Sequence, residues 1–368
     1  MVGVTAPLAG SADPEVRSSM STRVATDEDG TSKLSRAATI YDVAARAKVS
    51  HQTVSRYLRK YPGIRPETRE RVELALAELN YRPNQAARTL ATNRSLRIGA
   101  FAYEMLEVGP SQIMQGASRR ARDAGYMLDL VTLFPSDDEA TQNAINEMYQ
   151  QNLAGVIASA PTDRVREALE AADFGVPLYI ETEREDELGA EHESLNAVGT
   201  RKLVDHLVDQ GHTTILNIAG PPSWIASLNR VNAYRRAMLH RGLEPLDSLH
   251  TDWSAASGYK LARQMPLDRG VTAIVATNDQ VALGVVRALI ERGVAVPDDM
   301  SVVGFDDIPE SEFFLPPLTT VQTHFDMQGK YSIDMLLSMI HNSEAPVRED
   351  YVSADLVLRS STARAPVA

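Results

Sequence analysis

His51, Gln52, Ser55 and Arg56 put four polar side chains into six consecutive residues. Each has the chemistry to read a base edge. Glutamine can donate and accept bidentately on adenine, and arginine can do the same as a double donor on guanine. Histidine can do either at a groove edge. The elements that would position them are legible nearby. Ile40, Val43, Ala44 and Ala47 recur at helical spacing and give a first helix one apolar face. Ser50 suits the N-cap of a second helix, because its hydroxyl can accept from an amide of the first turn. In that second helix Val54 and Leu58 lie one turn apart and point inward, so the four polar groups lie away from them. Two short helices, a tight turn and outward donors form a helix-turn-helix pattern. An unrelated three-helix bundle with a polar surface would fit the spacing as well.

Charge supports the nucleic-acid reading. The chain of 368 residues carries a net charge of -12, yet residues 39–97 hold 12 Lys/Arg against 5 Asp/Glu, or +7. A basic block beside an acidic body suits a segment that meets a polyanion while the rest avoids it, although a solvated charged face has the same signature. There is no cysteine, which removes disulfides and thiolate chemistry. No apolar run approaches the ~18 residues of a membrane span. Residues 1–36 lack the basic start and apolar stretch of a secretory signal. A cytoplasmic protein is expected, nucleoid-associated when bound to DNA. Residues 1–38, rich in Ser, Thr, Ala, Gly and Asp, are expected to form a disordered tail, and Met20 is a second candidate start beside Met1.

The periodicity is helical from Thr39 to about Leu79, Pro83 punctuates it, and 84–91 can add one or two turns. Beyond Ser95 the texture alternates. Apolar runs at 98–102, 127–131, 155–158, 177–180, 215–218, 273–276 and 301–303 read as buried strands. Amphipathic stretches at 113–124, 141–151, 198–210 and 279–292 read as helices between them. The alternation predicts right-handed βαβ units, hence parallel sheets flanked by helices. The length of this region suits two lobes better than one.

From Tyr41-Asp-Val-Ala44 through Val49-Ser-His-Gln-Thr-Val-Ser-Arg56, the chain resembles the LacI/GalR family of bacterial transcriptional regulators, its lac-type members most of all. Further matches are Thr68 to Val72, Leu79 to Asn84, Gly211-His212, Ala219 to Pro221, Asp252 to Ser254, Asn278-Asp279 and Val303 to Asp307. The resemblance covers nearly everything from Thr39 to about Arg359. It implies an all-α helix-turn-helix head at 39–83 and a hinge helix and linker at 84–94. It also implies a two-lobed α/β body at 95–360, like the periplasmic sugar-binding proteins, with a short tail at 361–368. Lobe 1 would take 95–194 and 325–352, and lobe 2 would take 195–324 and 353–360.

The same resemblance assigns roles. His51, Gln52 and Arg56 would read bases of a pseudo-palindromic double-stranded operator. Thr39, Tyr41, Ser50, Thr53, Ser55, Arg65 and Thr68 would contact the DNA backbone or support the head. Asn84, Ala87 and Leu90 would sit in a hinge that folds on DNA, with Leu90 wedged into the minor groove, since eight residues are too few for a stable isolated helix. Arg230, Trp253, Asn278, Asp306 and Ser159 would hold a mono- or oligosaccharide effector between the lobes, Trp253 offering a flat face to a pyranose ring. Two head positions depart from the pattern: Lys48 replaces a frequent turn glycine, and Arg65 replaces a capping serine. In lobe 1 the lac-type arginine, asparagine and aspartate give way to Pro135, Ser159 and either Glu181 or Thr182. The extra C-terminal leucine heptads of the lac type, which assemble tetramers, are missing, so a homodimer is expected. No cofactor or metal is implied. A sugar-binding protein of a transport system shares the two-lobed fold but needs export and no DNA-binding head. An enzyme of sugar metabolism would want a P-loop, a dinucleotide fingerprint or an HExxH site, and none occurs.

Overall fold

A computed structural model describes residues 38–59, 61–82, 95–103, 105, 107–181, 194–266, 270–348, 351 and 353–366. Contacts divide the chain into a unit ending at Ala91 and a unit beginning at Thr92.

The first unit contains α1 (Ile40–Ala47), α2 (His51–Leu58) and α3 (Pro66–Glu78). Thr39 and Asp42 form a reciprocal capping box at the start of α1. Ser50 caps α2 through the amide of Thr53. Val43, Ala44, Ala47, Val54, Val72 and Ala75 form the core that locks the three helices together. Between α1 and α2 the chain turns at Lys48, which adopts a left-handed conformation (φ 54, ψ 49) where glycine would be unstrained. At α3, Arg65 makes no side-chain cap and Pro66 takes the first helical position. Proline there loses no helix hydrogen bond and arrives with its φ already set.

The second unit opens with β1 (Arg97–Ala102), α4 (Val108–Asp123), β2 (Met127–Thr132), α5 (Asp138–Tyr149), β3 (Gly155–Ser159), α6 (Asp163–Glu170) and β4 (Leu178–Glu181). These strands form a parallel sheet in the order β2-β1-β3-β4. The second lobe follows with α7 (Leu195–Asp209), β5 (Ile215–Ala219), α8 (Ile225–His240), β6 (Leu249–His250), α9 (Ala255–Gln264), β7 (Ala273–Ala276), α10 (Asp279–Glu291) and β8 (Ser301–Val303). Its parallel sheet runs β6-β5-β7-β8. Both interiors are built from short, fully buried strands such as β3, β5 and β7, as their apolar runs demand.

The chain crosses between the lobes again after the second sheet. After β9 (Thr320–Thr323) the chain returns to the first lobe as α11 (Phe325–His341), then comes back as β10 (Ala354–Val357). β9 and β10 pair antiparallel, so not every strand belongs to a parallel sheet. Helix α11 packs on α4 at close range: a Cβ at Gly329 would lie 2.8 Å from the backbone of Ala117. Residues 361–366, set apart as a tail by their sequence, dock on the second lobe. Ser361 is buried and bonds the backbone of Val302, and the Ala363 amide donates to Ser301.

Candidate DNA-reading face and ligand cleft

In the head, His51, Gln52 and Arg56 are exposed on α2, on the side away from the buried Val54. The Arg56 guanidinium lies 5.7 Å from the Tyr61 ring centre, which steadies it without using up its donors. Tyr41, 65% exposed, meets the His51 ring at 5.2 Å. Of the expected supporting residues, Thr39 and Ser50 are committed as helix caps, and Thr53 bonds Ser50 at 3.0 Å. Ser55 and Thr68 are half-buried, and Arg65 is exposed. Asn84, Ala87 and Leu90 lie outside the described residues.

In the body, all five expected effector residues line one cavity of about 160 Å³: Ser159 at the end of β3, Arg230 on α8, Trp253 after β6, Asn278 at the start of α10, and Asp306 after β8. The carboxyl ends of the strands in open α/β sheets are where ligands bind, because chain direction changes there and leaves a crevice. Chain tension points to the same place. Trp253 (φ 74), Asp306 (φ 107) and Asp307 (φ 53) all have positive φ, which side-chain-bearing residues adopt only where the surroundings enforce it.

Arg230 is buried and heavily engaged. Its Nε donates to Asn196 at 2.6 Å, its Nη1 to the Thr277 carbonyl, and its Nη2 lies 3.5 Å from an Asp306 oxygen. The guanidinium also sits 3.8 Å above the Phe305 ring. Asn278 spends its oxygen capping α10 through the Val281 amide and one N–H on the Trp253 carbonyl. It therefore fixes the tryptophan's backbone, with a single N–H left for a ligand.

Burial raises the Asp306 pKa to about 7, opposed by Arg230 and reinforced by the charges of Asp279 and Glu107. Asp279, buried below the site, is raised to about 6 by burial despite hydrogen bonds from Ser311, Thr320 and the Ile308 amide. Two cavity-side atoms have no hydrogen-bond partner among the described residues, Trp253 Nε1 and Thr323 Oγ1, while Asp306 Oδ1 faces the Arg230 guanidinium at 3.5 Å. A buried indole N–H and a buried hydroxyl left without partners in one crevice are groups that a ligand hydroxyl could satisfy, since it both donates and accepts.

The sequence reading missed Tyr103, Glu107, Asn196, Trp224, Phe305 and Thr323, which also line the cavity. Trp224 carried the best available signal, since both of the chain's tryptophans end in the cleft. Glu181 lies in the lining, held by Arg348 at 2.7 Å, whereas Thr182 lies outside the described residues. Bonds that cross between the lobes include Ile225 N–H to the Pro161 carbonyl at 3.1 Å and Gln280 to Glu107 at 3.2 Å. Among the described residues no cluster of potential metal ligands occurs, and no helix is long and apolar enough to cross a membrane.

Residues 39–84 match the bacterial regulatory proteins of the lacI family, and residues 204–362 match the periplasmic binding protein-like domain. The lactose operon repressor of Escherichia coli K12 is 37% identical over 331 residues, 88% of this chain and 90% of that protein. The ribose operon repressor of the same organism is 29% identical over 82% of this chain and 93% of that protein. Among solved structures, the lac repressor dimer bound to operator and the anti-inducer ONPF superposes with a TM-score of 0.78 at 34% identity, covering 89% of this chain and 99% of that one. The transcriptional regulator CelR in complex with cellobiose gives 0.63 at 28% identity, covering 88% and 99%. A matched head, a matched body and this identity along most of the chain place the protein in the LacI family of bacterial DNA-binding transcriptional regulators, and it is a regulator rather than an enzyme.

Proposed function

We propose that this protein is a cytoplasmic repressor of sugar-utilisation genes, nucleoid-bound through its operator and released when a sugar occupies the cleft. The observation that carries the reading is the convergence of Ser159, Arg230, Trp253, Asn278 and Asp306 on one cavity with unpaired donor and acceptor atoms. An aromatic face beside a carboxylate and a guanidinium is the chemistry of a polyol with an apolar C–H side. Relatives that govern lactose and ribose operons, and a similar regulator complexed with cellobiose, support it.

In this reading His51, Gln52 and Arg56 contact base edges, while Tyr41 and Arg65 reach the DNA backbone. Thr39, Ser50, Thr53, Ser55 and Thr68 hold the head in shape. Asn84, Ala87 and Leu90 form the minor-groove hinge. Two copies act together, as the likeness to the lac repressor dimer suggests. Exposed apolar groups suited to pairing occur in both lobes: Met127, Leu130 and Phe134 in the first, Leu283, Ile290, Phe313 and Leu315 in the second.

Selection of bound sequences from a random duplex pool tests the head, and a pseudo-palindrome is expected. A panel of sugars is then titrated into the operator complex while DNA release and melting temperature are followed, since a ligand that binds only the folded state raises apparent stability. If no sugar changes either quantity while a purine or an amino acid does, the sugar reading is wrong.

A further inference from the structure

Trp224 and Tyr103 extend the cleft beyond the residues that would hold a single sugar ring. Tyr103 follows β1 of the first lobe, and Trp224 stands on the loop after β5 of the second. Their rings meet edge to face at 5.5 Å and 80°. On its other side Trp224 meets Trp253 at 5.8 Å, with the two indole planes 58° apart. Three aromatic rings drawn from both lobes thus form one continuous wall, and all three line the cavity.

The angle decides what such a wall can hold. The apolar faces of one pyranose chair are nearly parallel, so two indoles tilted by 58° cannot both stack on the same ring. They can each take one ring of a disaccharide whose two rings are twisted about the glycosidic bond. The polar groups fall into the same division. Arg230, Asp306 and Thr323, with the unpaired Trp253 Nε1, surround the Trp253 end, where one ring's hydroxyls would be bonded. Charge narrows the class further. Glu107, Glu181 and Asp306 put three carboxylates in the lining, and the two guanidiniums beside them are already engaged, Arg348 by Glu181 and Arg230 by Asp306 and other protein acceptors. A phosphorylated or acidic sugar would be repelled.

We propose that Trp224 and Tyr103 build a second-ring subsite, so that the effector is a neutral disaccharide with one ring on Trp253 and the next on Trp224. This rests on the sugar reading above and adds to it the size and charge of the ligand.

Trp224 stands at the N-cap of α8 with no side-chain capping hydrogen bond, so its ring can be removed without disturbing the helix start. Calorimetric titration of the full-length dimer with lactose, cellobiose and maltose, each set against glucose and galactose, reads the subsite directly. At least one disaccharide is expected to bind about tenfold more tightly than its component monosaccharides, the advantage a stacked ring supplies. In Trp224→Ala that ratio collapses towards one, Trp224→Phe restores most of it, and Tyr103→Ala reduces it by a smaller factor. Glucose 6-phosphate gives no heat. Monosaccharides that bind at least as tightly as every disaccharide overturn the subsite while leaving the sugar reading intact, as does a Trp224→Ala that weakens both kinds equally. Absence of heat from every sugar overturns both.

Discussion

The two recognition surfaces are built on opposite terms. In the head, His51, Gln52 and Arg56 project from α2 into solvent, and the core of Val43, Ala47, Val54 and Val72 forms without them. In the cleft, Arg230 is buried, Trp253 and Asp306 sit at positive φ, and Asn278 is at once a lining residue and a helix cap. Residues on an exposed helix face can change with little cost to the fold, so operator preference can drift freely if these three read it, as proposed. Cleft residues are part of what keeps the second lobe folded, so a change of effector must come through groups that carry less structure, such as Ser159, Trp224 or Tyr103.

Arg230→Ala should show this difference most strongly. It removes the partner of a buried Asp306 and the donor to Asn196 and the Thr277 carbonyl. Breaking a buried pair from one side costs about 3–5 kcal/mol, because a charge is left uncompensated. Urea melts should therefore show a large loss of stability together with loss of any sugar response, while the remaining folded protein still binds operator. The penalty should be smaller at pH 6 than at pH 8, since Asp306 can take up a proton once the guanidinium is gone. A variant as stable as the parent would mean that Arg230 is only a ligand contact, as exposed in effect as Arg56.

Arg56→Ala should behave in the opposite way. Operator affinity should fall by about 1–3 kcal/mol, mostly on the selected site and little on random DNA. Thermal stability should stay within about 0.5 kcal/mol, because the side chain is exposed and lies over the Tyr61 ring. Competition gel shifts and melting curves check both halves. Equal loss on selected and random DNA would remove direct readout, and a marked loss of stability would erase the contrast with the cleft.

What was legible in the sequence divides along the same line. The head could be read almost residue by residue, because caps, apolar spacing and outward donors are all local features of one short stretch. The strands β1, β3, β5 and β7 were legible because a fully buried strand leaves a continuous apolar run. The two-residue β6 and the partly polar β9, Thr-Val-Gln-Thr, leave no such run, and their pairing depends on distant chain. In the cleft, Arg230, Trp253, Asn278 and Asp306 were found through resemblance, since no local pattern places them within reach of one another. Trp224 and Tyr103 were missed for the same reason: each sits past the end of a strand, and only the folded body brings their rings together.

Protonation gives a further contrast, of intermediate size, because the cleft titrates near neutrality. Asp306 is raised to about 7 by burial, against an ordinary value of about 4. The folded state therefore binds this proton more tightly than the unfolded state does. The stability gained is full below about pH 4 and is lost as pH rises through about 7, and Asp279, raised to about 6, adds to the same slope. Ligand-free melting temperature should fall between pH 5 and 8, and Asp306→Asn should flatten part of that fall. Sugar affinity should move the other way and rise from pH 6 to 8, because a hydroxyl that donates to the carboxylate favours its charged form. A flat affinity profile would mean that Asp306 does not accept from the ligand.

The smallest effect tests whether the head really is free of such coupling. Lys48 holds the turn between α1 and α2 at φ 54 and ψ 49, a conformation that a side chain disfavours by about 1 kcal/mol and glycine does not. Its amide bonds the carbonyl of Ala45, and that bond needs no side chain. Glycine also gives the unfolded chain more freedom, which offsets part of the gain. Lys48→Gly should therefore stabilise the head by a net few tenths to about 1 kcal/mol, seen as a raised denaturation midpoint of the head alone. Removing one cation that no base-reading group touches should lower DNA affinity by a similar factor on every sequence and reduce its salt dependence by about one charge. If Lys48→Gly instead changed which operator is preferred, the turn would be setting the pose of α2, and the head would be as entangled with its fold as the cleft is.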